Sequence, residues 1–373
     1  MNIIKHLKSR GLFFQSTPED ELIAHLNSPR VIYSGFDPTA ESLHVGHLLP
    51  IITLKKFKEF GHKIIPLLGI FTAQIGDPTG KSKEREMLSE DKTRNNAINI
   101  AQQLFRLLGE PCANNIGHEN LKLSEFLSIT KEFNVRRMLS SDCFANRLAG
   151  DSLSLLEMTY MVFQAQDFVN LNKIHGCTVQ IGGSDQWSNM IAGIDLLHNK
   201  NREGFCITCP LFVDEHGRKM GKTESNPVWL DRTLTTDFEF FQFWRNLHDN
   251  IVPTVALQFT DIPVEDIPLD NSNINAFKER VAFEITKFVR GEDAANNCLG
   301  GVPEVIHLTE PTNVLNLIIK LGLVPSNSEG RKLISNRGIK INGVIVEDFN
   351  QSISHGDLLT KGKNQRFGCK FYE

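Results

Sequence analysis

The segment VIYSGFDPTAESLHVGH, residues 31–47, decides the fold class of this 373-residue chain. Its first six residues are β-branched, aromatic or small, which predicts a short buried strand over 31–36. A turn follows, and then an apolar segment from about Leu43 to Phe60 that predicts a helix ending at Gly61. Pro50 lies inside that segment and is expected to kink the helix or shorten it. A strand, a turn and a helix start in this order form the usual geometry of an anion-binding site.

The same alternation of strand and helix continues along the chain. Residues 63–71 (KIIPLLGIF) predict a second strand, and a helix follows with Ser89 as its N-cap and Gly109 as its terminator. Strand 177–183, helix 184–200 and strand 204–213 complete the pattern. Strands that alternate with helices indicate an α/β fold with a parallel, Rossmann-like sheet, here interrupted by a mainly helical insertion at about 111–175.

The pattern changes after Trp229, and the sequence therefore predicts three domains. Residues 1–229 form the α/β domain, and 230–310 have helical apolar spacing that predicts an all-helical domain. Residues 311–373 form a small α+β domain in which two helices precede a hairpin at Asn342-Gly343.

Composition points to an ordinary globular protein, with 40% apolar and 23% charged residues. No apolar run reaches the ~18 residues that span a bilayer, and no signal peptide is evident, so we expect a cytoplasmic protein without a membrane partner. The net charge is −4, yet 311–373 carry 9 Lys and Arg against 5 Asp and Glu. This distribution favours a local polyanion-binding module, not a DNA-coating protein, although a solvated surface explains it equally well.

Two pairs of residues raise the question of a metal. Cys206 and Cys209 form the only CxxC pair among seven cysteines, without a second pair, and fit buried strand thiols better than zinc ligands. His44 and His47 lie one helical turn apart but lack a third ligand and the HExxH arrangement. The pair can be two core histidines, or, in its strand–turn–helix context, a phosphate-handling site. Gly46 between them leaves space for a flat group against the backbone.

Two cationic, glycine-flanked loops accompany this motif. GDPTGKSKER (76–85) is one residue short of a phosphate loop, because its glycines enclose three residues where GxxxxGK[ST] has four. GRKMGKT (217–223) is a second such loop. Each alone can be an ordinary surface loop, whereas both together make sense if they close on one triphosphate.

The polar residues of the insertion also stand out. Tyr160, Gln164 and Asp167 lie on one stripe of a predicted helix. A polar stripe of this kind can simply face water, but the chain has 25 Phe and only three Tyr, and Tyr33 stands in the strand before the histidine motif. A hydroxyl at these two positions therefore suggests a function. QIGGSDQW (180–187) adds a Gly-Gly turn with Asp185 and Gln186 in the following first helical turn, where a carboxylate also suits the helix dipole.

Taken together, YSGFDPTAESLHVGH, IGDPTGKSKER, YMVFQAQDF, QIGGSDQW and KMGKT closely resemble the motifs of bacterial-type tyrosyl-tRNA synthetases, which are class I aminoacyl-tRNA synthetases. HVGH is similar to the class I HIGH signature and KMGKT to KMSKS, with Gly221 in place of a serine. SEGRKLISNRGIKINGVIV is similar to an S4-like RNA-binding module. The resemblance covers nearly the whole chain.

The resemblance implies a role for each matching residue. The phenol of tyrosine would be bound by Tyr33 and Asp167. The rest of the amino acid would be bound by Asp37, Thr72, Asp77, Tyr160, Gln164 and Gln186. ATP and its ribose would contact Ser34, Gly35, Gly46, Gly183, Asp185 and Lys222. The triphosphate would be handled by Thr39, His44, His47, Lys81, Arg85, Lys219, Lys222 and Thr223. tRNA would contact Arg331, Lys332, Arg337 and Lys340.

The activity implied is ligation of tyrosine to tRNA(Tyr) in translation, through tyrosyl-adenylate and pyrophosphate. Mg²⁺ would accompany ATP and pyrophosphate, with no tightly bound cofactor, and the insertion would form a homodimer interface. Three alternatives stay open: a tryptophanyl synthetase, an HxGH nucleotidylyltransferase, and a synthetase-derived RNA-binding protein. Tyr33 with Asp167 argues against the first, and the C-terminal module against the second. The intact histidine and lysine motifs argue against a catalytically dead form of the third.

Overall fold

A computed structural model describes residues 2–80, 88–150, 152–221, 227–268, 273–299, 304–362 and 365–371. The chain divides into two compact units. The first comprises Met1–Asp231 with Pro253–Ile267, and the second comprises Arg232–Val252 with Pro268–Glu373.

The strands are short, and each sheet belongs to one unit. In chain order they are Gln15–Ser16 (β1), Val31–Phe36 (β2), Lys63–Leu68 (β3), Ala113–Asn114 (β4), Cys177–Gly183 (β5), Phe205–Cys209 (β6), Glu304–Leu308 (β7), Ile339–Ile341 (β8), Val344–Ile345 (β9), Leu358–Lys361 (β10) and Gln365–Phe371 (β11).

The α-helices are Ile3–Ser9 (α1), Glu19–His25 (α2), Leu48–Glu59 (α3), Ile70–Ile75 (α4), Glu90–Leu108 (α5), Leu123–Thr130 (α6), Val135–Leu139 (α7), Asp142–Gly150 (α8), Leu155–His175 (α9), Trp187–His198 (α10), Asp237–Arg245 (α11), Val252–Phe259 (α12), Ile274–Arg290 (α13), Glu292–Cys298 (α14), Val314–Lys320 (α15) and Asn327–Ser335 (α16).

The first unit is built on a sheet with the order β1-β6-β5-β2-β3-β4. All neighbours are parallel except β1, which pairs antiparallel with β6. From β2 the chain continues to β3 and β4 on one side, and later returns to β5 and β6 on the other. The strand order therefore reverses between β2 and β5, where open α/β sheets bind their ligands. The prediction of an α/β fold with a parallel sheet is confirmed.

Local signals set most helix ends as predicted. Ser89 caps α5 by accepting a hydrogen bond from the Lys92 N–H, and Gly109 ends it at φ +67°. The helix is shorter than the predicted segment, which is one of the two outcomes expected from Pro50: α3 begins at Leu48, and the proline lies in its first turn, where N–H groups have no helical partner. The predicted strand 63–71 is shorter than expected: it ends at Leu68, and Ile70 already begins α4.

A buried arginine anchors the segment Pro253–Ile267 within the first unit. Arg10, 6% exposed, donates hydrogen bonds to the backbone carbonyls of Ile262 at 2.6 Å, Thr260 and Ala256. These carbonyls follow or end α12, so they satisfy a guanidinium that burial would otherwise leave unpaired. Burial also lowers the pKa of Arg10. The predicted all-helical domain at 230–310 thus differs from the units observed, because α12 belongs with the α/β unit.

The second unit contains a sheet with the order β7-β11-β10-β8-β9. Its hairpin turns at Asn342 (φ +50°) and Gly343 (φ +82°), in the manner predicted. β7 pairs parallel with β11, so sheet formation begins at Glu304, before the predicted boundary at 311. Strand β7 was not predicted because parallel strands are not joined by a tight hairpin, so no turn residues mark β7 in the sequence.

No helix among the described residues is both long and apolar enough to cross a membrane. Within the same ranges, no group of three or more His, Cys, Asp or Glu side chains is arranged to hold a metal ion. Cys206 and Cys209 are fully buried in β6, and burial raises the pKa of each thiol to about 12.

Candidate active site

A cavity of about 570 Å³ lies at the carboxyl edge of the parallel strands in the first unit. Ser34 and Gly35 of β2 and Gly182 and Gly183 of β5 line it. It therefore lies at the point where the strand order reverses.

The cavity collects residues from motifs that are far apart in the sequence. Its walls include all the predicted active-site residues that the structure describes: Tyr33, Ser34, Gly35, Asp37, Thr39, His44, Gly46, His47, Thr72, Asp77, Tyr160, Gln164, Asp167, Gly183, Asp185, Gln186 and Lys219. The predicted residues Lys81, Arg85, Lys222 and Thr223 lie outside the described residues.

Tyr33 and Asp167 are the most deeply buried polar members. Tyr33 is 1% exposed, and among the described residues its hydroxyl has no hydrogen-bond partner. Burial, and next the neighbouring carboxylate of Asp167, raise the pKa of Tyr33 well above its usual value. A buried hydroxyl without a partner is costly, so its position in a cavity wall marks a place where a ligand can hydrogen-bond.

Asp37 lies at the centre of a second polar group. It accepts hydrogen bonds from the Tyr160 hydroxyl at 3.0 Å and from the Thr72 hydroxyl at 2.9 Å. A β-carbon at Gly69 would collide with Asp37 Oδ1, so glycine is required there. Tyr160 is 7% exposed, so its stripe of α9 faces the cavity instead of water.

Asp77 belongs to a third group, with Gln186. The Gln186 amide donates to Asp77 Oδ2 at 2.7 Å, and the Thr79 N–H donates to Asp77 Oδ1 at 2.9 Å. Asn189 in turn donates to Gln186 Oε1 at 3.2 Å. Asp37 and Asp77 therefore supply two carboxylates to one cavity.

His44 and His47 are fixed by their own backbone. His44 Nδ1 accepts from the Gly46 N–H and His47 Nδ1 accepts from the His44 N–H, each at 3.1 Å. When neutral, the His44 ring then carries its proton on Nε2 and has a donor to offer. His47 Nδ1 also lies 3.3 Å from the His44 carbonyl oxygen, so either tautomer of His47 has a backbone partner. A β-carbon at Gly46 would lie 2.8 Å from His44 Cε1, so the glycine also makes room for the imidazole itself.

Gly221 of the KMGKT motif packs directly on this histidine turn. Gly221 has φ +86°, and a β-carbon there would lie 2.7 Å from Val45 Cγ2 and 2.8 Å from the Gly46 nitrogen. The chain after the loop returns alongside the motif, with the Val45 N–H donating to the Val228 carbonyl at 3.0 Å. Gly221 is therefore required both by its backbone conformation and by the close approach.

Four polar residues of this region were not predicted. Asn115 and His118 both hydrogen-bond to Asp167, Asn189 supports Gln186, and Gln180 is a cavity-lining side chain in β5. Gln180 is 3% exposed, and its carbonyl oxygen has no partner within the described part of the chain. Gln180 could have been found from the sequence, because it is a glutamine inside an apolar strand. Asn115 and His118 stand in no such pattern, because only folding brings them to Asp167.

A Rossmann-like sheet, an HxGH turn and a KMGKT loop around one cavity define a class I tRNA synthetase. The family model for class I tRNA synthetases (W and Y) matches residues 25–302, and the model for the tyrosine--tRNA ligase SYY-like C-terminal domain matches residues 295–363. The chain is 37% identical to tyrosine--tRNA ligase of Acetivibrio thermocellus, over 97% of each protein. It is 36% identical to tyrosine--tRNA ligase of Clostridium tetani, over 95% of this chain and 93% of that protein.

A solved structure of a tyrosyl-tRNA synthetase is also similar to this chain. A C-terminally truncated mitochondrial tyrosyl-tRNA synthetase from Aspergillus nidulans superposes with a TM-score of 0.70 at 28% identity, covering 80% of this chain and 92% of that one. The chain belongs to the tyrosine--tRNA ligases, and with them to the aminoacyl-tRNA ligases.

Proposed function

We propose that this chain activates L-tyrosine with ATP to form tyrosyl-adenylate and pyrophosphate, and then transfers tyrosine to the 3′ end of tRNA(Tyr). One observation carries the proposal: the buried Tyr33 hydroxyl and Asp167 carboxylate line the same cavity as the HxGH imidazoles. The first pair suits a phenol and the second suits a phosphate chain.

Tyr33 and Asp167 select tyrosine by hydrogen-bonding its phenol hydroxyl. A carboxylate accepts and a hydroxyl donates or accepts, so the two can pair with one phenol in both senses. Phenylalanine would leave both buried groups without this partner, at the cost of their desolvation. Support comes from the Tyr33 hydroxyl, which has no partner among the described residues.

The charged end of tyrosine binds nearer the mouth of the cavity. Asp37 and Asp77 supply negative charge for the ammonium group, with Tyr160 and Gln164 as further partners. The Gln164 carbonyl oxygen is buried and, among the described residues, lacks a donor. Gln186 donates to Asp77 and so lies where it can orient the substrate carboxylate. Ser34, Gly35, Gly183 and Asp185 surround the ribose.

Adenylate formation needs alignment and electrostatic stabilisation instead of a general base. The tyrosine carboxylate is ionised at pH 7 and attacks the α-phosphorus directly, while the bond to pyrophosphate breaks. Negative charge grows on the phosphate oxygens, so donors already in place lower the barrier. Thr39, His44, His47 and Lys219 fill this role, together with Lys81, Arg85, Lys222 and Thr223. Gly46 permits the His44 ring to take its position.

Mg²⁺ enters as part of the substrate, bound to the phosphates of ATP and leaving with pyrophosphate. Proteins commonly hold Mg²⁺ through substrate phosphates in this way. In the second step the terminal ribose hydroxyl of tRNA attacks the activated carbonyl and AMP leaves.

Arg331, Lys332, Arg337 and Lys340 of the second unit contact tRNA phosphates. All four are exposed, on α16, on the turn after it and on β8. Arg331 also lies over the ring of Phe349, 4.9 Å from its centroid, which restricts its guanidinium.

The enzyme acts in the cytoplasm, where tRNA, ATP and tyrosine occur together.

A homodimer forms through the insertion between β4 and β5. Several large apolar side chains of this segment are exposed: Leu123 (72%), Leu127 (58%), Val135 (59%), Leu148 (46%) and Leu155 (78%). Exposed apolar residues concentrated in one segment are typical of a protein–protein interface.

ATP–pyrophosphate exchange with each of the twenty amino acids, followed by charging of tRNA(Tyr), tests the proposal. Tyrosine alone should support exchange. Exchange with tryptophan in its place would show that the other specificity of the family applies, and exchange without tRNA charging would refute the second step.

A further inference from the structure

The two oxygens of the Asp167 carboxylate have different donors. His118 Nε2 lies 2.6 Å from Oδ1, and Asn115 Nδ2 lies 3.0 Å from Oδ2. The side chains of Asp167 and His118 are only 6% and 3% exposed. A carboxylate accepts about four hydrogen bonds, so these two leave capacity for a phenol donor from the cavity.

The ring of His118 is itself held in place. It packs against two phenyl groups, 5.1 Å from the centroid of Phe163 and 5.6 Å from that of Phe71, and these two rings also pack on each other at 4.7 Å. Its backbone N–H donates to the Asn115 carbonyl at 3.1 Å, in the short turn Ile116–Asn120. Asn115 also accepts from the Phe71 N–H at 2.8 Å and donates to the Thr72 hydroxyl. Both donors to Asp167 therefore come from one braced turn.

Burial acts against the charged form of this carboxylate. Burial raises the pKa of Asp167, and the hydrogen bond and charge of His118 are the main influences that lower it again. Without His118, one oxygen of this buried carboxylate would lose its donor. The carboxylate would then be free to turn or to take up a proton, and either change weakens its bond to a phenol.

We propose that His118 is a positioning residue for tyrosine selection: it orients Asp167 and keeps it ionised, so that the carboxylate accepts the phenol proton of the substrate. The inference rests on the proposed role of Asp167 in phenol recognition. His118 itself does not touch the substrate. Its effect is therefore confined to amino acids with a hydroxyl on the ring.

Two substitutions separate the donor from the packing. His118→Phe keeps an aromatic ring packed against Phe71 and Phe163 but removes the donor. His118→Gln keeps an N–H near the position of Nε2 without the imidazole. If Phe is not accommodated, His118→Met removes the donor with an adaptable apolar chain.

His25→Gln is the matched control. His25 is also buried, at 7% exposure, with Nε2 2.8 Å from the Thr178 hydroxyl, Nδ1 3.1 Å from Glu203, and its ring on Phe205. Its contact with Thr178, at the start of β5, lies at the opposite edge of the sheet from the cavity.

The measurement is kcat and KM for tyrosine and for phenylalanine in ATP–pyrophosphate exchange. His118→Phe should lower kcat/KM for tyrosine roughly 10- to 100-fold, mainly through KM, with that for phenylalanine nearly unchanged. His118→Gln should restore most of the loss, and His25→Gln should leave the ratio unaltered. The ratio of the two kcat/KM values does not depend on the fraction of enzyme that is folded, so misfolding alone cannot mimic the result.

Two further variants distinguish this inference from the proposal on which it rests. If Tyr33→Phe and Asp167→Asn leave the tyrosine-to-phenylalanine ratio unchanged, the phenol site is misassigned. If those variants lower the ratio but His118→Phe does not, or if Gln behaves like Phe, only the role of His118 is overturned.

Discussion

Lys219 Nζ lies 2.7 Å from Asp185 Oδ2, so the first lysine of the KMGKT loop is paired with the carboxylate assigned to the ATP ribose. The two side chains are 52% and 28% exposed. A partly exposed ion pair of this kind contributes only about 0–1 kcal/mol. If ATP binds as proposed, it can displace Lys219 from Asp185 at little cost and make the ammonium group available to the phosphates.

Lys219→Ala should lower kcat for adenylate formation about 30- to 1,000-fold while KM for tyrosine stays nearly constant. The reason is that the proposed mechanism places Lys219 against the charge that develops on the phosphates and assigns it no contact with tyrosine. Pre-steady-state formation of enzyme-bound adenylate measures this directly. Arg218→Ala is the control, because Arg218 is 74% exposed and pairs with Asp214. Weak ATP binding with a normal rate at saturation would make Lys219 a binding residue only.

Acidification should reduce the preference for tyrosine over phenylalanine. Because burial raises the pKa of Asp167, this carboxylate takes up a proton at a higher pH than the usual value of about 3.9 and then stops accepting from the phenol. The kcat/KM ratio measured against pH should fall as the pH decreases through the raised pKa. In Asp167→Asn the low ratio should not change with pH, and an identical slope in that variant would contradict the assignment.

Protonation of Asp167 does not itself destabilise the folded chain, so unfolding at this residue does not explain a fall in the tyrosine-to-phenylalanine ratio. Between the ordinary and the raised pKa, the folded chain holds more protons on Asp167 than the unfolded chain does. The contribution of this carboxyl to the free energy of unfolding therefore decreases as pH rises through that window and increases on acidification. Thermal unfolding followed over the same pH range separates the two effects.

Gly221→Ala should slow adenylate formation by about tenfold or more, because a β-carbon would press on Val45 and the Gly46 nitrogen and displace the loop from the histidine turn. Gly217→Ala is the matched control: it has φ +76°, but a β-carbon there meets nothing within 4 Å. Both variants share the backbone strain, so the difference between their kcat values measures the contact. Equal losses in the two would mean that loop docking is unimportant.

Replacing Arg331 and Lys332 together by Ala should raise KM for tRNA about tenfold and leave tyrosine-dependent pyrophosphate exchange unchanged. Phosphate contacts add to affinity without sequence preference, so the dependence of tRNA affinity on salt should become less steep, by about one unit of slope per lost contact. Binding assays at several salt concentrations provide the measurement. An unaltered salt slope would assign these side chains to another partner.

Leu155→Glu should shift the dimer towards monomer, weakening association at least about tenfold, because a charge would replace a 78% exposed apolar side chain of the proposed interface. Ile98→Glu is the control, since Ile98 is 57% exposed on α5, outside the insertion. Analytical ultracentrifugation gives the association state of both. Dimers of equal stability would move the interface elsewhere.

Local sequence signals determine much of the fold. Strand β2 runs over the predicted residues 31–36, α5 lies between its predicted cap and its terminating glycine, and the hairpin turns at Asn342-Gly343. Strand propensity, helix capping and positive φ at glycine or asparagine each act within a few residues, so the sequence alone determines them. The motif order also identified the residues that line the cavity.

Contacts between distant segments were decided only by the tertiary structure. Arg10 holds α12 in the first unit, and β7 joins the C-terminal sheet ahead of the predicted boundary. Gly221 packs on the histidine turn, Lys219 pairs with Asp185, and His118 braces Asp167 across 49 residues of chain. None of these follows from spacing or propensity, because each depends on which surfaces the folded sheet brings together, and a buried hydrogen bond or a close backbone approach has no local sequence pattern.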